Sequence, residues 1–190
     1  IGPPSLGEQE RLDVLAIKTQ WEALPDLPSR CEAIADAMRR HIKCMELQKM
    51  ALTTLTQILK GNQRANLQES LENLEAGIAW PRSAETAPIN DAVVQSMKAH
   101  TLSSMVQILA LRTLLALSEV DRIRRSRVLA AVFAQHCASA VVAAMTLHPT
   151  VVAIQRLACA FILELPPQPL CAAGALQAVL SALRGSTATE

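Results

Sequence analysis

Histidine recurs in this sequence in a pattern that could build a metal site. His41, His100 and His148 each follow a methionine by three residues, and neutral imidazole is a common zinc ligand. Rings in successive repeats would lie on different packed helices, ~8–10 Å apart, whereas zinc ligands lie ~2.0–2.1 Å from the ion. We therefore predict no metal site, and we expect each histidine to interact with the free carbonyls at a helix C-terminus.

The neighbours His136 and Cys137 could suggest a thiol nucleophile with its base. Adjacent residues on a helix point about 100° apart, however, and no Asp or Asn stands where it could orient the imidazole. The sequence also contains no glycine-rich phosphate loop, HExxH helix or GxSxG elbow. We predict a chain that is not an enzyme and needs no cofactor.

The charge and cysteine content bound the possible partners and compartment. Eighteen basic and 17 acidic residues give a formal charge of +1, so no overall field attracts nucleic acid or an anionic membrane. The five cysteines contain no CxxC pair, which is typical of reduced intracellular thiols. We expect a cytoplasmic protein, for which cytoskeletal or ciliary association is possible.

Residues 128–155 contain no Asp, Glu, Lys or Arg and are long enough to cross a bilayer. Gln135, His136 and Ser139 interrupt the apolar run, and Pro149 with Thr150 fits a helix break. We predict two buried helices here and no membrane span.

The strongest signal is an internal repeat. Residues 34–41, 93–100 and 141–148 align without a gap, each with a β-branched residue first, small residues, Met and then His. Further along, each copy has a glutamine and an alanine at fixed distances: Gln48, Gln107 and Gln155, then Ala51, Ala110 and Ala158. Because Gln recurs in every copy, we predict that it bonds turn backbone groups between helices rather than a ligand. A partial fourth copy is assigned to residues 179–183.

Each unit is predicted to contain a helix ending near the histidine, a short turn and a longer helix. Residues 66–79 and 126–136 each predict a further short helix before it. Three helices per unit, with a small Ala where helices approach, resemble the armadillo repeat, and the segment around Gly174 resembles that family's glycine-containing turn. The resemblance implies an all-α, right-handed α-solenoid of about four armadillo-like repeats, the last incomplete; the related HEAT repeat shares much of the pattern.

The chain divides at about residue 30. Residues 1–30 predict an N-terminal helix and linker, and residues 31–190 the armadillo-like repeat domain. The first and second copies are further apart than the others, which indicates an irregular insertion near residues 61–90. There Gly61 is expected to end a helix, and residues 80–88, with two prolines, to form a loop.

The armadillo resemblance implies a concave surface lined by the last helix of each unit. Positions that avoid the apolar stripe of these helices give the candidate binding residues, which are Lys49, Met105, Ile108, Arg112 and Arg156. Exposed apolar side chains beside arginines suit a peptide or amphipathic helix of another protein. We predict a non-catalytic protein-interaction scaffold; the alternative is a regulatory arm or structural subunit of a larger multidomain enzyme or assembly.

A basic loop is the second candidate surface, comprising Arg122, Arg124, Arg125 and Arg127. It is interpreted as a solvated connection between units, or alternatively as a dock for an acidic tail, a phosphate or a nucleic acid backbone. No aromatic residue is interleaved, so base stacking is not expected and nucleic acid is the lesser alternative.

Overall fold

The computed structural model describes residues 6–72, 83–123, 127–165 and 167–187. All regular secondary structure in these ranges is α-helical, which confirms the predicted all-α class. The helices are α1 (Leu6–Glu22), α2 (Leu27–Arg40), α3 (Met45–Glu72), α4 (Ser83–Ala99), α5 (Ser104–Ile123), α6 (Arg127–Leu147), α7 (Val152–Glu164), α8 (Pro167–Ala172) and α9 (Ala175–Thr187).

The helices form two rows with the core between them. Helices α2, α4, α6 and α8 contact one another in succession, and so do α3, α5, α7 and α9. Each even-numbered helix also packs on the odd-numbered helix that follows it, while α1 packs against α2 and α3. The methionines of the repeated pattern, Met38, Met97 and Met145, are buried between the rows. We call each even-odd couple a helix pair.

The prediction of three helices per unit is wrong in the described residues. Residue 66, expected to begin a separate helix, lies inside α3, and residues 127–136 are continuous with the rest of α6. No Gly or Pro stands between Arg127 and Leu147, so nothing in the chain ends the helix. The pairs α2–α3, α4–α5 and α6–α7 therefore each contain two helices.

Two predicted breaks near the insertion are also wrong. Gly61 lies within α3 rather than at its end, since one glycine costs a helix interior only about 1 kcal/mol. Helix α4 begins at Ser83 and continues through Pro88. The burial of Ile89 and Val93 directly afterwards offsets the backbone bond that Pro88 cannot make. Residues 73–82, the centre of the expected insertion, lie outside the described residues.

The turn predicted at Gly174 is confirmed, with φ 76° and the Gly174 N–H donating to the Cys171 carbonyl at 3.1 Å. It separates α8, which has only six residues, from α9. Residues 179–183, the predicted partial fourth copy, lie in α9, which packs against α6, α7 and α8.

The uncharged run of residues 128–155 is divided between α6 and α7, as predicted, with the break between Leu147 and Val152. Within the described residues, no helix combines the length and the apolarity needed to span a bilayer.

Candidate partner-binding surface

The three recurrent glutamines close the turn inside each helix pair. The Nε2 group of each donates to the methionine and histidine carbonyls at the end of the preceding helix. The bonds run from Gln48 to Met38 (2.9 Å) and His41 (3.0 Å), from Gln107 to Met97 (2.9 Å) and His100 (3.0 Å), and from Gln155 to Met145 (2.9 Å) and His148 (2.8 Å). These carbonyls have no partner within their own helix. The predicted structural role of the glutamines is confirmed.

The histidines connect one helix pair to the next. His100 Nε2 lies 2.7 Å from the Ile42 carbonyl, and His148 Nε2 lies 2.7 Å from the Thr101 carbonyl. Because a carbonyl only accepts, Nε2 must carry the hydrogen. Histidine was expected to bind the free carbonyls at a helix end. The carbonyl that it binds belongs instead to the preceding helix pair, in the residue directly after that pair's equivalent histidine. Within the described residues, no cluster of three His, Cys, Asp or Glu could hold a metal ion.

Further contacts fix how α3 and α5 lie against each other. Thr113 Oγ1 donates to the Leu52 carbonyl at 3.2 Å and lies 2.9 Å from Thr56 Oγ1. At the start of the two helices, Ser103 Oγ lies 3.7 Å from Met45 Sδ. Positions that are equivalent in the repeat therefore lie beside each other on α3 and α5, with an offset of one or two residues. The odd-numbered row can present a continuous surface.

The predicted binding residues differ in their availability on this row. Met105 is 53% exposed, and Arg112 and Arg156 are exposed as well. Neither guanidinium has an ion-pair or hydrogen-bond partner among the described residues. Lys49 is half-buried, and its Nζ lies 2.8 Å from Glu46 Oε1, so its charge is already partnered.

Ile108 does not lie on the free surface as predicted. It is half-buried and packs against the hydrophobic core. Each middle helix of a row has neighbours on two sides, so its buried arc is wider than the stripe that a single face predicts. Ile108 lies at the margin of that arc.

Three exposed apolar residues on this row were not predicted from the sequence. Met45, Leu102 and Val152 are 40%, 84% and 67% exposed, and each lies within four residues after a repeated histidine. Together with Met105, they lie at or beside the N-terminal ends of α3, α5 and α7. We call these four residues the apolar edge. The signal in the sequence is an apolar residue two to four positions after each repeated histidine, at or just before the start of the next helix.

Cys137 and His136 do not form the thiol nucleophile and base that their adjacency could suggest. Cys137 is buried, and burial raises the pKa of its thiol to about 12, so it is protonated at neutral pH and is a poor nucleophile. His136 Nε2 instead lies 3.4 Å from Asp91 Oδ1 at the surface. A cleft of about 30 Å³ between α4 and α6, lined by Met97, Gln107 and Ala144 among others, has room for about one water molecule.

Two residues of the predicted basic loop, Arg124 and Arg125, lie outside the described residues. Arg122 and Arg127 belong to α5 and α6, but their side chains are likewise outside the described part of the chain.

No family model, curated protein or solved structure matches this chain. Its function must therefore be inferred from the surface itself.

Proposed function

We propose that this chain is an α-solenoid of about four armadillo-like helical repeats and serves as a non-catalytic protein-interaction scaffold. Its partner, a peptide or helix of another protein, binds the exposed side of the odd-numbered row. The observation that carries the proposal is the exposed Met105 on the same row as Arg112 and Arg156, whose guanidinium groups have no partner among the described residues. None of the five cysteines forms a disulfide bond, which supports a reducing compartment such as the cytoplasm.

The apolar and the arginine side chains of this surface would contribute to binding in different ways. An apolar side chain that loses its contact with water on binding supplies affinity. A guanidinium supplies directional, charge-assisted hydrogen bonds to the partner's carboxylates. Because the row is held in register by backbone-directed bonds, these side chains are already arranged before a partner arrives, which lowers the entropic cost of binding.

The test is a proximity-labelling or pulldown comparison in cell extract with the triple variant Met105→Glu, Arg112→Glu, Arg156→Glu. We expect reproducible loss of at least one partner, because the variant removes an apolar anchor and reverses two charges. Ile108 is left unchanged because it contributes to the core.

The matched control is Leu12→Glu, Arg40→Glu, Lys98→Glu. It introduces the same number of glutamates at exposed positions outside α5 and α7, and Leu12 is 53% exposed, as Met105 is. Circular dichroism should give the same helical signal and midpoint for both variants and the wild type. An identical partner list for wild type and the Met105 variant would rule the proposed surface out.

A structural subunit of a larger assembly is a second candidate, favoured by α9. Leu176, Leu180 and Leu183 are all exposed on this helix, at the i, i+4 and i+7 spacing of one helix face. That candidate predicts self-association or poor solubility of the isolated chain. Light scattering that finds a monodisperse monomer at high concentration counts against it.

A further inference from the structure

We propose that the apolar edge binds an amphipathic α-helix that lies across α3, α5 and α7, with apolar residues spaced seven apart and a flank of acidic residues. The inference rests on the scaffold function proposed above and specifies the chemistry of its partner. It is carried by the spacing of Met45, Met105 and Val152 and by the charges that surround them.

The apolar edge is continuous across neighbouring helices. Met45 at the start of α3 touches Ser103 at the start of α5. The next pair is joined at the same level, because His148 reaches the Thr101 carbonyl beside Leu102. Met45, Met105 and Val152 therefore follow one another along one end of the row, one from each helix.

The spacing of this line favours a helix over a strand as the occupant. Neighbouring packed helices are ~8–10 Å apart, and seven residues of an α-helix rise ~10 Å. After seven residues a helix returns to nearly the same face, drifting only ~20°, so apolar residues at i, i+7 and i+14 would each meet one helix of the row. A strand covers ~10 Å in three residues, and residues three apart in a strand point to opposite sides.

The charge around the apolar edge favours an acidic partner. No Asp or Glu occurs between residues 100 and 118 or between residues 148 and 163. Arg112 and Arg156 both lie towards the C-terminal side of the edge, about two turns beyond Met105 and one turn beyond Val152. The carboxylate nearest the edge in sequence, Glu46, is already paired with Lys49. Carboxylates on one flank of a bound helix would find unpartnered guanidinium groups there.

The test is a phage-displayed library of 20-residue helices in which the surface positions are randomised, selected on the full chain. We expect the selected helices to carry apolar residues seven apart and a net negative charge. Synthetic versions should bind about tenfold more weakly to Met105→Glu, Val152→Glu and also to Arg112→Glu, Arg156→Glu, by fluorescence anisotropy. Leu12→Glu and Lys98→Glu, which lie on α1 and α4 and outside the proposed surface, serve as matched controls and should bind as the wild type does.

The outcomes separate this inference from the broader proposal. Selected helices that need Met105 but are neutral or basic, or lack the seven-residue spacing, would overturn the inference and leave the scaffold function standing. Selected helices that bind all four variants equally, or a selection that enriches nothing, would overturn the inference. The pulldown comparison then decides independently whether the row binds another protein at all.

Discussion

At the scale of single residues, the recurrent glutamine and histidine perform separate tasks. Each glutamine satisfies two carbonyls within its own helix pair, and His100 and His148 each reach into the preceding pair. The task of glutamine could be predicted, because a buried amide that recurs in every copy needs backbone partners nearby. The acceptor of the histidine could not, because it depends on how far one pair is displaced against the next.

Replacing Gln107 with alanine tests the first of these tasks. The change removes the Gln107 donor from the Met97 carbonyl and leaves the His100 carbonyl with only its bond from the Ser103 N–H. Because the Gln107 bond to Met97 is buried, we expect the free energy of unfolding to fall by about 1–3 kcal/mol. Urea denaturation followed by circular dichroism measures the change.

Gln95→Ala is the control for this substitution. Gln95 is exposed and makes only a 3.5 Å contact with Asp91, so its loss should change the free energy of unfolding by less than about 0.5 kcal/mol. Equal stability of the two variants would mean that the Gln107 bonds contribute nothing to the turn.

At the scale of elements, the sequence predicts helices well and their limits poorly. The turns after His41, His100 and His148 were placed correctly because three copies agree on them. The breaks expected at Gly61 and before Pro88 were wrong because each depended on one residue type, and the packing around it decided the outcome.

Two glycines, Gly61 and Gly174, are expected to change stability in opposite directions when replaced by alanine. Gly174 has φ 76°, so alanine there is forced into a left-handed conformation at a cost of about 1–2 kcal/mol. Gly61 lies inside α3, and a Cβ added there meets no atom within 4 Å. Gly61→Ala should therefore stabilise the chain by about 0.5–1 kcal/mol.

Thermal unfolding of the two variants beside the wild type checks this pair. We expect the midpoint to fall for Gly174→Ala and to rise for Gly61→Ala. If both midpoints moved in the same direction, backbone conformation would not explain the effect at one of the two glycines.

At the scale of the whole molecule, the described helix pairs contact mainly their neighbours. Stability in such an arrangement is the sum of what each pair contributes and what each junction contributes. His100 and His148 each bond across one junction, whereas His41 is exposed and its ring makes no such bond among the described residues. The row of candidate residues could be predicted from the repeat, but its apolar edge depends on residues at the starts of α3, α5 and α7 that become neighbours only when the pairs stack.

Comparing histidine substitutions measures this coupling. We expect His100→Ala to lower the free energy of unfolding by about 1 kcal/mol through loss of its bond to the Ile42 carbonyl. His41→Ala, the same change at the equivalent position, should be close to neutral. Hydrogen exchange should show faster opening on both sides of the α3–α5 junction in the first variant only. Equal losses at the two sites would show that the bond between pairs is not what the histidine contributes.

The glutamine bonds have a consequence for how the surface could change. They join a side chain on one helix to main-chain carbonyls at the end of another, so they do not depend on which side chains lie inside the turn. The three turns indeed differ, with Ile42-Lys43-Cys44 in one, Thr101-Leu102-Ser103 in the next and Pro149-Thr150-Val151 in the third. Leu102, one residue of the apolar edge, lies in such a turn, and the other three lie in helices, where the turn-closing bonds do not use their side chains either. The edge residues can therefore be exchanged to alter what the surface binds while the turns stay closed.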